Sequence, residues 1–244
     1  WMTNEALALS TTPRWYNIGK FSSSGYIVSC LAMSSDGNTV YAGTSGGQLL
    51  RIANLNSANF EELHDDVTAG DSPDNVEITQ ISLPGVNGQY INNIYTSNYG
   101  NRVYVALGNY GNDTNILMSD EALTQDATDF RNSFVSIQGD LPEMPVYDII
   151  EVHGNESNIV AGTELGVWLG ERVGNTFTWT PQNNGLGNVP VFRVRQEAFG
   201  QEVDIATPDC QVIYIATHGK GIYRSTSFTY PSCNTNIEAG FLGE

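Results

Sequence analysis

In "IYIATHGKGIYRS" (213–225) a histidine and a lysine share a glycine-rich tip. His218 and Lys220 are the residue types of an acid–base pair or of a phosphate cradle. A phosphate cradle needs the glycine loop to open a helix. Here β-branched and aromatic residues run on both sides of the tip, so Gly219 and Gly221 read as the positive-φ residues of a tight hairpin. His64 and His153 stand in unrelated contexts and read as turn residues. Asp148 and Glu151 lie in the apolar run "VYDIIEVH" (146–153). Hydrolysis of a glycosidic bond needs two carboxylates across a cleft. Three positions apart on a strand, these two face opposite sides, and a partner carboxylate from elsewhere in the chain stays open. Arg193 and Arg195, in "VFRVRQEA" (191–198), alternate onto one face.

The remaining candidates are ligands and contact residues. Asp65, Asp66, Asp71 and Asp74 crowd one loop. Carboxylates are the oxygen ligands that calcium takes. The spacing is not that of an EF-hand, and a solvated acidic surface is the simpler reading. No other cofactor is expected. Cys30, in "YIVSCLAM", reads as a buried free thiol. Cys210 and Cys233 flank the opening stretch, and a hairpin there would bring them within reach of a disulfide. Such a bridge implies a home outside the cytoplasm. No Cys/His spacing suits zinc. Tyr99, Tyr110, Asn112 and Asp113, around "GNYGNDTN", form the most aromatic tip, whose rings would stack on sugars or a partner. Asn112 and Asn155 also begin N-x-S/T glycosylation patterns. A Walker loop and a dinucleotide fingerprint are both absent.

Charge narrows the partners. The chain has 10 Lys+Arg against 27 Asp+Glu, a net charge of −17 in 244 residues. It repels nucleic-acid backbones and anionic membranes. No apolar run approaches the about 18 residues of a spanning helix, so no direct membrane insertion is expected. The chain begins with Trp1 and carries no leader pattern, and we expect it to be processed or part of a longer protein.

What must position these residues is a repeat. "TVYAGTSGGQLLRI" (39–52), "RVYVALGNYGNDTNILMS" (102–119), "NIVAGTELGVWLG" (158–170) and "VIYIATHGKGIYRS" (212–225) share an apolar run, a glycine-containing tip and a second apolar run. The anchors Tyr41, Tyr104, Val160 and Tyr214 lie 63, 56 and 54 residues apart. Each copy reads as a β-hairpin. An apolar strand precedes each one (26–34, 91–98, 146–153, 191–198), and a more polar strand follows three of them (76–83, 134–139, 177–183). Only 4–10 and 119–125 have helical patterning, enough for a turn or two. A four-stranded unit at this period predicts an all-β chain, a β-propeller of four-stranded antiparallel blades. The blades span approximately 26–86, 87–140, 141–186 and 187–230, within a domain of 1–233 followed by a tail of 234–244. Strand 13–21 belongs to a preceding or the closing blade. The last blade shows only three strands, and we expect a piece of a larger ring. Ala42, Gly43, Ala161, Gly162 and Ala216 are small enough to let neighbouring blades approach. Arg51, Arg172 and Arg224 fall on third strands, at a propeller's periphery.

Several of these segments resemble a known family. "GDLPEMPVYDIIEVHGNESNIVAGTELGVW" (139–168), "FTWTPQNNGLGNVPVFRVRQ" (177–196) and "IYIATHGKGIYRS" (213–225) are similar to the sialidase-like (BNR or sortilin-type) propellers of large Bacteroidota surface proteins, often cargo of the type IX secretion system. The resemblance covers residues from about 87 to 226. It implies an extracellular or cell-surface, outer-membrane-associated protein. Its partner would be a protein or glycan, with components of a secretion complex among the candidates. A sialidase would need three converging arginines, a tyrosine nucleophile with a glutamate, and an aspartate acid/base. Arg193 and Arg195, two on one strand, do not supply that trio, and blade-to-blade salt bridges are the simpler role for them. The family's Asp-box is degraded to "SSDGNTVY" (34–41) and "GNTFTW" (174–179), a turn-shaping loss without chemical cost. The reading is therefore a non-enzymatic binding or assembly module, with a sialidase-like glycoside hydrolase as the alternative.

Overall fold

A computed structural model describes residues 2–3, 5–7, 9–16, 18, 25–58, 76–98, 100–124, 126–174, 176–196 and 212–227. The readings placed on His64, the four aspartates of 65–74, Tyr99, Cys210, Cys233 and the 234–244 tail lie outside the described residues.

From residue 26 onward each predicted strand run contains a strand, and each glycine-rich tip is a reversal; the described residues of the predicted strand 13–21 make only an isolated bridge. The first sheet is β1 (Val28–Met33), β2 (Val40–Thr44), β3 (Gln48–Ala53) and β4 (Glu77–Ser82). The second is β5 (Ile91–Thr96), β6 (Val103–Leu107), β7 (Ile116–Ser119) and β8 (Val135–Ser136). The third is β9 (Val146–Val152), β10 (Asn155–Thr163), β11 (Gly166–Val173) and β12 (Thr176–Pro181). The fourth has, among the described residues, three strands, β13 (Val191–Gln196), β14 (Ile213–Thr217) and β15 (Gly221–Ser225). In every sheet, strands adjacent in sequence are adjacent in space, a simple meander. The strands pair antiparallel, as β1 with β2, β3 with β4, β11 with β12 and β14 with β15. This is the order that short loops and local pairing favour.

Among the described residues, helix is confined to a 3₁₀ turn at Leu55–Ser57 and to α1 (Ala127–Asn132). The helical patterning of 119–125 is displaced by one step. Ser119 ends β7, residues 120–124 form a bend and a turn, and the helix starts after Asp126. The Asp126 carboxylate accepts from the N–H groups of Thr128 and Asp129 at 2.7 and 2.9 Å. These bonds hold its pKa below the usual carboxylate range. The buried Phe130 then fixes the helix against Tyr41 and Phe134. The described residues of 4–10 form turns only. From 13–21, Tyr16 bridges Met2 and packs with Ile18 on Leu55 and Val76.

The first strands share an irregularity that residue alternation hides. The register slips by one residue between Val28 and Cys30, Ile91 and Asn93, Val146 and Asp148, and Val191 and Arg193. Ser29, Asn92, Tyr147 and Phe192 are thus bulge residues at one equivalent position. A bulge re-aims its side chain out of the ladder.

The chain divides into two compact units, 1–107 with 117–136, and 108–116 with 137–244. In the first unit, β1 and β2 pack on β5. A Cβ on Gly43 would lie 2.5 Å from Ile91 Cγ2 and 2.7 Å from Cys30 Sγ. Ser29 Oγ donates to the Ile91 carbonyl at 2.6 Å, and Thr96 Oγ1 donates to the Met33 carbonyl at 2.7 Å. Tyr41, Leu49, Ile81, Ile91, Val105 and Leu117 form the core here. The other side of β1 is uncovered, with Leu31 67% and Met33 56% exposed, so this first strand is not a buried one. In the second unit, β9 packs on β13 and is buried along nearly its whole length. A Cβ on Gly162 would lie 2.7 Å from the Val191 carbonyl oxygen and 3.0 Å from its Cγ1. Gly43 and Gly162 hold the same repeat position, and glycine there sets how closely one sheet meets the next. Gly162→Val should lower stability by about 1–3 kcal/mol in guanidinium denaturation, because backbone is what it meets. Thr178→Ala, at an exposed point of β12, should stay within about 0.5 kcal/mol.

Candidate functional site

The site begins with the threonine that ends the second strand of three sheets. Thr163 Oγ1 donates to the Gly166 carbonyl at 2.9 Å, and Thr217 Oγ1 to the Gly221 carbonyl at 2.8 Å. Thr44 Oγ1 accepts from the Gln48 N–H at 2.9 Å. Each hydroxyl closes its tip, and Gly219 and Gly221, at φ 82° and 88°, complete the last one. The residue after each threonine is pinned by its own N–H to the residue just before the first strand. Ser45 bonds Ile27 O at 2.9 Å, Glu164 bonds Pro145 O at 3.1 Å, and His218 bonds Pro190 O at 2.8 Å. In the second unit that bond sets each tip residue beside the bulge residue of its own sheet.

In the second unit the pairs are chemically loaded. The Tyr147 phenol donates to Glu164 Oε2 at 2.5 Å. The Tyr147 ring meets Phe192 edge to face, centroids 4.8 Å apart at 84°. Phe192 in turn lies 5.4 Å from the His218 ring at 57°. Tyr110 reaches the same Glu164 carboxylate from the 108–116 loop. That loop is built on amides. The buried Asn115 donates to the Asn109 carbonyl at 2.9 Å, and its N–H bonds Gln138 Oε1 at 2.8 Å. Burial and the neighbouring carboxylate both raise the Tyr147 pKa. Desolvation and the same carboxylate raise that of Tyr110. Both phenols stay protonated at neutral pH and donate to Glu164. The result is a continuous row, Tyr110–Glu164–Tyr147–Phe192–His218.

Of the predicted binding loop, the structure brings Tyr110 into this row. Asn112 folds back onto the Asn109 carbonyl at 3.1 Å, and Asp113 stays exposed at the tip. Asn155 likewise serves its own turn, accepting from the Ser157 N–H at 3.2 Å. Tyr147, Phe192 and Glu164 were not singled out from the sequence as site residues. A signal was present, because an aromatic follows Pro-Val at both Pro145–Tyr147 and Pro190–Phe192.

The charged candidates resolve differently. Asp148 is fully buried and faces the fourth sheet, with Oδ2 2.6 Å from Arg195 Nη1 and 2.9 Å from the Val194 N–H. Arg195 is thus one half of a sheet-to-sheet ion pair, while Arg193 folds onto the Phe192 carbonyl at 3.1 Å. Glu151, also buried, is an odd step from Asp148 along β9, on the other face. Of the third-strand arginines expected at the periphery, Arg51 departs from that reading, while Arg224 is exposed. Arg51 is 3% exposed, donates to the Thr124 carbonyl at 2.7 Å and lies 5.2 Å over the Phe130 ring. Thr124 and α1 cover it. Tyr41, close by, is pushed up to about 12, chiefly by burial. Cys30 is half-buried rather than buried, its Sγ 3.8 Å from the Ile91 carbonyl.

Motif letters also have structural uses. Gly43-Thr44-Ser45-Gly46-Gly47 spells Gly-x-Ser-x-Gly, yet it joins two strands rather than a strand and a helix. The Ser45 hydroxyl accepts from the Ile27 N–H at 3.2 Å. The Asp-box remnant is an ordered turn, in which Asp36 accepts from the Ser34 hydroxyl and the Asn38 N–H. Trp179 donates to the Ile137 carbonyl at 3.1 Å, and its N–H bonds Asp140 at 2.7 Å. Asn183 clamps the 163–166 tip through Val167 N–H and the Leu165 carbonyl. A cleft of about 290 Å³, lined by Val160, Leu169, Ile213, Ile215 and Tyr223, lies between β10–β11 and β14–β15. Among the described residues, no three His, Cys, Asp or Glu side chains gather as a metal would need.

Burial outweighs Arg195 and the Val194 N–H and keeps the Asp148 carboxyl above its usual range. A raised folded-state pKa adds stability that is complete below the unfolded value, about 3.9, and is lost as pH rises through the folded one. Relative to Asp148→Asn, the native chain should gain stability on acidification from pH 7 to 4, read by denaturant midpoints at each pH.

No protein-family model matches the chain, and no curated protein matches it. Solved structures do. An ancestral GH74 enzyme aligns with TM-score 0.53 and 15% identity over 84% of this chain. Raptor of Chaetomium thermophilum aligns with TM-score 0.52 and 15% identity over 86%. The extracellular domain of the B. thetaiotaomicron protein BT4673 aligns with TM-score 0.50 and 13% identity over 81%. The alignments span 28%, 17% and 21% of those chains, respectively. A β-propeller domain, that of Swd1 from Myceliophteria thermophila, also matches, at TM-score 0.46 and 13% identity over 78% of this chain and 49% of its own. At such identities the likeness concerns the fold alone. Four antiparallel meanders repeating every 54–63 residues, stacked in pairs through equivalent glycines, make this chain a run of about four β-propeller blades.

Proposed function

We propose that this chain is a non-enzymatic propeller module, secreted or at the cell surface, that binds a protein or glycan through the Tyr110–Glu164–Tyr147–Phe192–His218 row. The observation that carries this reading is the row itself. Bulges and tips build it at one end of the second unit, while the equivalent positions of the first unit hold Ser29, Ser45 and Asn92. An exposed array of rings around one carboxylate suits contact, because rings offer large rigid area at low entropic cost. The non-enzymatic reading rests on what the charged groups already do. Asp148 is taken by Arg195, and Glu164 by two phenols. The sequence likeness to sialidase-like Bacteroidota propellers supports export, through type IX secretion, and an outer-membrane location. It rests on segments whose residues here shape turns, such as Trp179 and Asn183.

The test is retention on an array of glycans and peptides, run beside hydrolysis of fluorogenic sialosides and glucosides. Ligands retained by the native chain should be lost by Phe192→Ala with Tyr110→Ala, and kept by Thr178→Ala. Retention indifferent to the first pair would remove the row from the reading. Turnover above buffer would replace the binding module with the glycoside hydrolase.

A further inference from the structure

The rings of the row are not coplanar. Tyr147 and Phe192 stand at 84°, and Phe192 and His218 at 57°. A flat sugar face asks for a flat platform, whereas walls at right angles make a corner. The ring faces are the negative side of each quadrupole. Glu164 stands at the Tyr147 end of this corner. A carboxylate has about four acceptor positions, and the two phenols occupy two of them. The carboxylate therefore keeps acceptor capacity while its position is locked. The chain around it carries a net charge of −17, which draws cations toward any open face. Phe192 is 39% and Tyr110 66% exposed, so the corner is open to solvent.

We infer that the corner of Glu164, Tyr147 and Phe192 binds an alkylammonium group, the head of a lysine side chain or of a free quaternary amine. The inference rests on the row being a binding face and specifies what that face takes. Ammonium over a ring face gains cation–π attraction, and a lysine ammonium adds a charge-assisted hydrogen bond to the carboxylate. Lysine from a partner polypeptide satisfies both, and a quaternary amine only the first.

The test is a titration of the ¹⁵N-labelled chain at low salt with tetramethylammonium, with Nα-acetyl-lysine methylamide, and with glucose as the neutral probe. The expected result is saturable shifts of the Tyr147, Glu164, Phe192 and His218 amides with both cations and none with glucose. Saturation at lower concentration by the lysine probe identifies a polypeptide as the source, and by tetramethylammonium a free amine. Glu164→Gln keeps both phenols bonded and the spectrum dispersed, and should weaken the cations by about tenfold or more. Equal affinity in Glu164→Gln, shifts scattered over the acidic surface, or no shifts with either cation would overturn the inference. Glucose shifting these amides in place of the cations would also overturn it, and would leave the binding face standing with a glycan ligand.

Discussion

Sheet meets sheet in this protein at a distance only glycine allows. Gly43 in one unit and Gly162 in the other sit under the first strand of the following sheet, with no room for a Cβ. Everything beside that contact inherits its spacing. Ser29 and Thr96 reach backbone carbonyls across it in the first unit. In the second, Asp148 reaches both the Val194 N–H and Arg195. Neighbouring sheets are thus joined by apolar packing with a few polar stitches. All but the Asp148–Arg195 pair run from side chain to backbone, so they fix register as well as distance.

Burying Asp148 in such a joint has a cost that its partners reduce without removing, as its raised pKa shows. The carboxylate accepts from its own Ile149 N–H, from Val194 N–H and from Arg195, so its lone pairs are well used. Removing any one partner leaves a buried charge short of bonds. Of the arginine pair, Arg195 is therefore part of the joint, the blade-to-blade role expected of it, while Arg193 stays on its own strand. Arg51 makes the same point in the first unit, where a cation on a third strand is roofed by Phe130 and the Thr124 carbonyl.

The meander was legible because its signals are local. Apolar runs and glycine tips mark each hairpin, with a recurring threonine in three of them, and the fifteen strands among the described residues fall on or overlap those runs. The small residue at Gly43 and Gly162 was legible as well, since a repeat exposes any position that must stay small. The functional row was not, for two reasons. A one-residue slip at Tyr147 and Phe192 breaks the alternation from which side-chain direction is read. The meeting of Glu164 with Tyr110 joins residues 54 apart in sequence, through a loop whose course depends on Asn115 and Gln138. Arg51 was misplaced for a similar reason, because the segment that covers it comes some 70 residues later.

The bulge separates two duties that an ordinary strand residue must combine. A residue in register has to suit its ladder neighbours and the sheet packed against it. Ser29, Asn92, Tyr147 and Phe192 are released from the ladder at the same place in four sheets, and they range from a small hydroxyl to a large ring. In the second unit each of these mounting points stands beside a tip residue, so the exposed chemistry of a sheet can be rewritten while the joint below it stays as it is.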